Sequence, residues 1–123
     1  MYLVIDAHAL LWHLEDSPRL SNRARKVIDA AERIYIPTIV LLEVCNILEK
    51  RKEQDKFLEI LERLLTQRKF IVYPLSTEVV KEFIKIEKQE IHDRIIVATA
   101  NLLDAAIITK DPEISKIYPR VIW

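Results

Sequence analysis

Four acidic residues stand at places where a folded chain can gather them. Asp6 closes the apolar run YLVID at 2–6, and Glu43 sits inside IVLLEVCNIL at 39–48. Asp93 opens the segment before RIIVATANLL, and Asp111 follows AIIT by two residues. Each has an ordinary reading alone. Asp6 and Asp93 are good helix N-caps or first-turn acids, Asp111 precedes Pro112, and Glu43 fits a narrow exposed stripe. Together they have a different meaning. Each like-charge neighbour raises the cost of ionising the others. A hard divalent cation, Mg²⁺ or Mn²⁺, removes that cost. It takes oxygen ligands, keeps several waters and is often shared with a phosphate substrate. Glu43 is the most telling, because only it and Asn46 are polar among those ten residues. Lone glutamates are rarely buried without a partner. Thr109 precedes Asp111 by two, so in an extended segment both point the same way. Its hydroxyl can orient a carboxylate, bind a metal water, or be an ordinary strand residue. His8 and His92 adjoin the acids, though a lone histidine is more often structural. Arg94 is open between a site carboxylate, a phosphate and a surface ion pair.

The elements that must position these residues alternate. YLVID, RIYI at 33–36, FIVYP at 70–74 and AIIT at 106–109 read as short buried strands, with VIW at 121–123 as a possible fifth. Helices are expected over 7–15, 22–32, from Thr38 to about Arg51, from Gln54 to about Arg68, over 78–88 and over 93–104, with a helical turn near 112–117. Ser21, Thr38 and Ser76 or Thr77 are the expected caps. Short apolar strands between helices give an α/β fold, a parallel sheet of four to five strands flanked by helices on both faces. In such sheets the functional crevice lies outside the carboxyl ends of the strands.

Composition narrows the chemistry. The 123 residues suit one domain, 1–123. Glycine is absent, which excludes the Walker loop and the GxGxxG dinucleotide fingerprint. Cys45 is the only cysteine, so an internal disulfide and a thiolate zinc site are both excluded, and a reducing cytoplasm fits. No secretion signal is visible, and no apolar run nears the ~18 residues of a membrane span. Lys plus Arg number 19 and Asp plus Glu number 19. Setting aside the four gathered acids leaves 15 against 19, a surface basic by four. Lys50-Arg51-Lys52 and Arg68-Lys69 are candidate phosphate contacts or plain helix-end cations. Cys45, Trp12 and Trp123 read as packing residues. Leu10, Leu11, Trp12 and Leu14 crowd both faces of the first helix, so one face is expected to meet a protein partner or a second copy.

IDAHALLWHL at 5–14, LLEV at 41–44, IHDRIIVATA at 91–100 and IITKDPEI at 107–114, in this order, resemble the PIN-domain ribonucleases. They are most similar to the VapC-like toxins of prokaryotic type II toxin–antitoxin pairs. The resemblance covers the whole chain. It implies a five-stranded parallel sheet and an acidic quartet, Asp6, Glu43, Asp93 and Asp111, that binds Mg²⁺ or Mn²⁺ with Thr109 assisting. It also implies RNA as substrate, an antitoxin protein as partner and a homodimer. Ala7 departs from the Ser or Thr of many relatives, and LLDAAI replaces a glycine-containing turn, for which Asp104 can supply the left-handed conformation. Other readings are a PIN-like RNA-processing nuclease without an antitoxin and a PIN-like module that only binds. A phosphoacceptor receiver domain needs an Asp ending a middle strand, where this chain has Pro37 and Pro74.

Overall fold

A computed structural model describes residues 2–123. Five strands form one sheet: β1 Leu3–Ile5, β2 Ile34–Pro37, β3 Phe70–Tyr73, β4 Ala106–Ile108 and β5 Val121–Ile122. All pairings are parallel, in the order β3-β2-β1-β4-β5. Parallel neighbours need long crossovers. Helices α1 Ala7–Leu14, α2 Asn22–Ala30, α3 Thr38–Lys50, α4 Phe57–Leu65, α5 Thr77–Lys85, α6 Ile91–Leu103 and α7 Pro112–Ser115 supply them. Every residue of β1 and β4 is buried. Successive strand side chains point to opposite faces, so both faces of the central sheet are covered. The core joins Val4 and Ile107 of the sheet to Leu10 and Leu11 of α1, Ile28 of α2, Leu48 of α3 and Ile96 of α6.

The strand order reverses beside β1. The chain builds outward through β2 and β3, then returns to lay β4 on the other side of β1. The ends of β1 and β4 are therefore the topological switch point, where a crevice opens.

The helix ends show how a chain without glycine turns. After α1, α3 and α6 the chain enters the left-handed region at Asp16 (φ 51°), Lys52 (φ 58°) and Asp104 (φ 54°). Each ending has the same paired bonds. Asp16 N donates to His13 O and Ser17 N to Trp12 O; Lys52 N donates to Glu49 O and Glu53 N to Leu48 O; Asp104 N donates to Asn101 O and Ala105 N to Ala100 O. This is the two-bond closure that glycine usually makes. Asp104 takes the conformation expected of it, and Asp tolerates it better than Lys does.

Several expectations need correction. Pro37, not Thr38, is the α3 cap residue, because Thr38 is already helical. The Thr38 hydroxyl instead donates to Tyr73 O at 3.0 Å, tying the start of α3 to the end of β3. The helix expected over 54–68 is a 3₁₀ turn at Gln54–Lys56 followed by α4. Ser76 caps α5, accepting from Val79 N. Cys45 is half-buried rather than core, its thiol donating to Glu49 at 3.4 Å. In α1, Leu10, Leu11 and Trp12 are all buried within the chain's own core. That helix therefore offers no surplus apolar face to a partner.

Candidate active site

Asp6 follows β1 directly, in extended conformation, and caps α1. Its Oδ1 accepts from Ala9 N at 2.9 Å, and its Oδ2 accepts from the Thr109 hydroxyl. Thr109 follows β4 and is fully buried. The same hydroxyl oxygen accepts from Asp111 N at 3.0 Å. Asp111 in turn caps α7, accepting from Glu113 N at 2.9 Å. The capping roles of Asp6 and Asp111 are thus real. Through Thr109 they also lock the ends of β1 and β4 together at the switch point.

Glu43 and Asp93 reach the same place from helices. Val40, Val44 and Leu48 bury one stripe of α3, and Glu43 lies half-buried beside it. Asp93 stands in the first turn of α6 but does not cap it. Glu90 does, accepting from His92 N at 2.8 Å and Asp93 N at 3.2 Å. The Asp93 carboxylate is left free for other work. All four carboxylates line one cavity of about 440 Å³, together with His8, Arg19 and Lys110. Thr109 does not line it; its hydroxyl sits behind Asp6 and positions it. A larger cavity of about 860 Å³ opens at the other end of the strands, beside Leu3, Arg33 and Arg68, and Glu32 is its single acid. Chemistry, not size, marks the smaller one.

The electrostatics follow from crowding acids in a half-dry place. Burial is the largest cause pushing the Asp6 carboxyl up to about 6; its bonds to Thr109 and Ala9 oppose this, and Asp111 adds to it. Burial likewise pushes Glu43 up to about 7, eased by His92 and worsened by Asp6 and Asp93. Asp93 is pushed up to about 6 by burial first, then by Asp111, Glu90 and Asp6. Glu43 Oε1 is buried with no donor among the described residues. Such an acceptor costs roughly 1–3 kcal/mol unless something meets it.

These features fit a divalent cation. A cation would lower the cost of three carboxylates whose protons are held too tightly, and Glu43 Oε1 would be available to it. Among the described residues, however, no three Asp, Glu, His or Cys side chains close tightly enough to hold an ion by themselves. Mg²⁺ demands few direct carboxylates and keeps several waters, so it suits a ring of acids wider than one ligand shell.

Other expected residues lie elsewhere. Arg94 donates to Phe83 O at 3.1 Å and Ile86 O at 3.3 Å and stacks on the Phe83 ring, so it fastens α5 to α6. His92 faces Glu90 at 3.2 Å. Lys69 donates to Ile28 O at 2.8 Å, closing α2. Arg51 pairs with Glu15 at 2.7 Å. His8 does reach the cavity. The cavity's two full cations, Arg19 and Lys110, are not among the site residues that the sequence pattern singles out. Lys110 sits inside IITKD, where its place between Thr109 and Asp111 was a usable signal. Arg19 lies in the turn DSPRL, whose pattern says nothing of a site.

A sequence profile described as PIN domain matches residues 3–118. The chain is similar in fold to solved structures at low identity. One is the complex of VapBC from Salmonella typhimurium bound to DNA, with TM-score 0.74, 14% identity, and 98% of this chain and 95% of that one covered. Another is VapBC2 from Rickettsia felis bound to a fragment of its promoter, with TM-score 0.72, 14% identity, and 98% and 96% covered. A third is VapC20 from Mycobacterium tuberculosis, described as a toxin that cleaves the sarcin–ricin loop, with TM-score 0.70, 13% identity, and 93% of both chains covered. No curated protein matches the sequence.

Proposed function

The chain belongs to the PIN-domain family, and we propose that it is a metal-dependent ribonuclease, the toxin of a toxin–antitoxin pair. One observation carries the catalytic reading. Asp6, Glu43, Asp93 and Asp111, from four separate segments, line one cavity at the switch point of the sheet. A module that only binds has no need to keep four mutually destabilising carboxylates there.

In this reading the four carboxylates would hold Mg²⁺ or Mn²⁺. The chemistry such an ion supplies when bound is Lewis acidity, which makes water a stronger acid and offsets charge on phosphoryl oxygens. The chain's own contribution is order and dryness. Thr109 and Ala9 N fix both oxygens of Asp6. Glu90 satisfies the α6 N-terminus, which frees Asp93 for the site. Burial of Asp6 and half-burial of Glu43 and Asp93 keep bulk water from screening them. The reaction adds one water across a P–O ester bond, leaving a phosphomonoester on one fragment and a hydroxyl on the other.

The toxin reading draws on the family and on the toxin–antitoxin complexes that share the fold. With it go a single PIN-like domain over 1–123, a cytoplasmic location, an antitoxin partner and a homodimer. The test is direct. Mg²⁺ or Mn²⁺ should raise the melting temperature, since a ligand that prefers the native state stabilises it. EDTA should abolish RNA cleavage. Cleavage persisting in excess chelator contradicts the metal mechanism. Expression should arrest growth, and the product of an adjacent gene should relieve the arrest; arrest that no neighbouring product relieves contradicts the antitoxin part.

A further inference from the structure

A cavity ringed by four carboxylates repels the phosphodiester that the proposed reaction must bring into it. The lining contains two full cations, and neither is spent elsewhere. Arg19, in the turn between α1 and α2, is exposed, and only its backbone N–H makes a local bond, to Ser17. Lys110, between Thr109 and Asp111, is also exposed. Neither side chain makes a hydrogen bond or an ion pair among the described residues. Contrast the cations that the fold consumes: Arg25 with Asp16, Arg51 with Glu15, Arg120 with Asp104, and Lys69 and Arg94 on backbone carbonyls. Trp12 also lines the cavity, and its indole N–H is buried and lacks an acceptor among the described residues. Two free cations give the lining of this acidic cavity the chemistry to bind an anion.

We propose that Arg19 and Lys110 together hold the phosphodiester backbone of single-stranded RNA, a clamp that carries phosphates past the carboxylates. This rests on the ribonuclease reading and names how the strand is held. The arginine offers a planar fork to phosphate oxygens, and the lysine a point charge. Backbone contacts of this kind fix register without reading bases.

The test measures binding apart from cleavage. A labelled single-stranded RNA oligonucleotide is titrated by fluorescence anisotropy, with Mg²⁺ present, onto the Asp93→Asn chain over a series of salt concentrations. Arg19→Ala and Lys110→Ala are added singly and together, with Arg68→Ala, at the opposite end of the strands, as a control. Each removed contact should raise Kd severalfold and flatten the slope of log Kd against log salt by about 0.7. The double variant should lose about twice that, Arg68→Ala should lose nothing, and Arg19→Lys should restore most of the slope. A double variant with the parent's Kd and slope overturns the clamp, as does a parent that does not bind the oligonucleotide. A failed ribonuclease reading shows differently, as a wild-type chain that gains no thermal stability from Mg²⁺ and cuts no RNA.

Discussion

At the scale of single residues, what matters is which carboxylates have a structural duty besides their chemistry. Asp93 has none, because Glu90 caps α6. Asp93→Asn should therefore fold, and without metal near neutral pH melt no lower than the parent, while RNA cleavage falls by more than about 100-fold, beyond the 10–100-fold typical of outer-shell changes. Full activity would return Asp93 to an ordinary first-turn acid. Thr109 is different, since its hydroxyl donates to a buried carboxylate. Thr109→Val keeps the shape and deletes that bond, worth roughly 1.5–3 kcal/mol for a charged acceptor. The loss should be seen at pH 8 and shrink at pH 5, where Asp6 holds a proton; Thr109→Ser should restore it. A Thr109→Val defect equal at both pH values would mean only lost packing. Asp6, Glu43 and Asp93 give a pH signature in metal-free protein. Asp6 and Asp93 are raised to about 6 and Glu43 to about 7. A raised carboxyl binds its proton more tightly folded than unfolded, so stability falls as pH rises from about 4 through about 7. Thermal melts without metal should show that fall, and Mg²⁺ should reduce it. A melting temperature that rises over the same window would contradict the buried-acid cluster. The acids were legible in the sequence because strand ends and an almost unbroken apolar helix make a carboxylate conspicuous. Arg19 and Lys110 were not, because an exposed cation in a loop looks the same whether or not a cavity lies beside it.

At the scale of elements, alternation of short apolar runs with amphipathic helices was enough to read a parallel α/β sheet, and even the left-handed turn at Asp104. Boundaries and caps were less legible. Thr38 has the right side chain for a cap, yet a tertiary bond to Tyr73 O claims its hydroxyl. Glu90 is not a common capping residue, yet it does the work expected of Asp93. Both outcomes depend on contacts between distant elements, which local pattern cannot contain. The left-handed Lys52 yields a test of the glycine-free turns. Lys52→Gly relieves about 1–2 kcal/mol of left-handed strain and adds back about 0.5–1 kcal/mol of unfolded-chain freedom. The variant should be more stable by about 0.5–1 kcal/mol in denaturant melts, with activity unchanged. A destabilised variant would mean that the Lys52 side chain contributes packing that outweighs its strain.

At the scale of the molecule, the apolar side chains left in water are not on α1, where an interaction face was expected. Trp12 is only 8% exposed. Leu42, Leu58 and Leu65 are exposed on α3 and α4, and Leu75, Val80, Ile84 and Ile91 are all at least half exposed; four side chains of one apolar groove, Leu75, Val80, Phe83 and Ile91, come from α5, the loop before it and the start of α6. If the chain pairs with itself, sedimentation at micromolar concentration should show a dimer, and Ile84→Lys should shift it toward monomer if this surface is the contact. A wild-type monomer would remove the homodimer from the functional reading without touching the site. Among the described residues no helix is long and apolar enough to cross a membrane. The four carboxylates meet in one cavity, so the catalytic reading stands or falls on one comparison. Single-turnover RNA cleavage in Mg²⁺ should be measured for the wild-type chain and for Asp6→Asn, Glu43→Gln, Asp93→Asn and Asp111→Asn, each first confirmed as folded. We expect wild-type cleavage that EDTA abolishes and near-complete loss in all four variants; cleavage at the wild-type rate in any of them, or in EDTA, would contradict the assignment of the quartet as the metal-holding catalytic site.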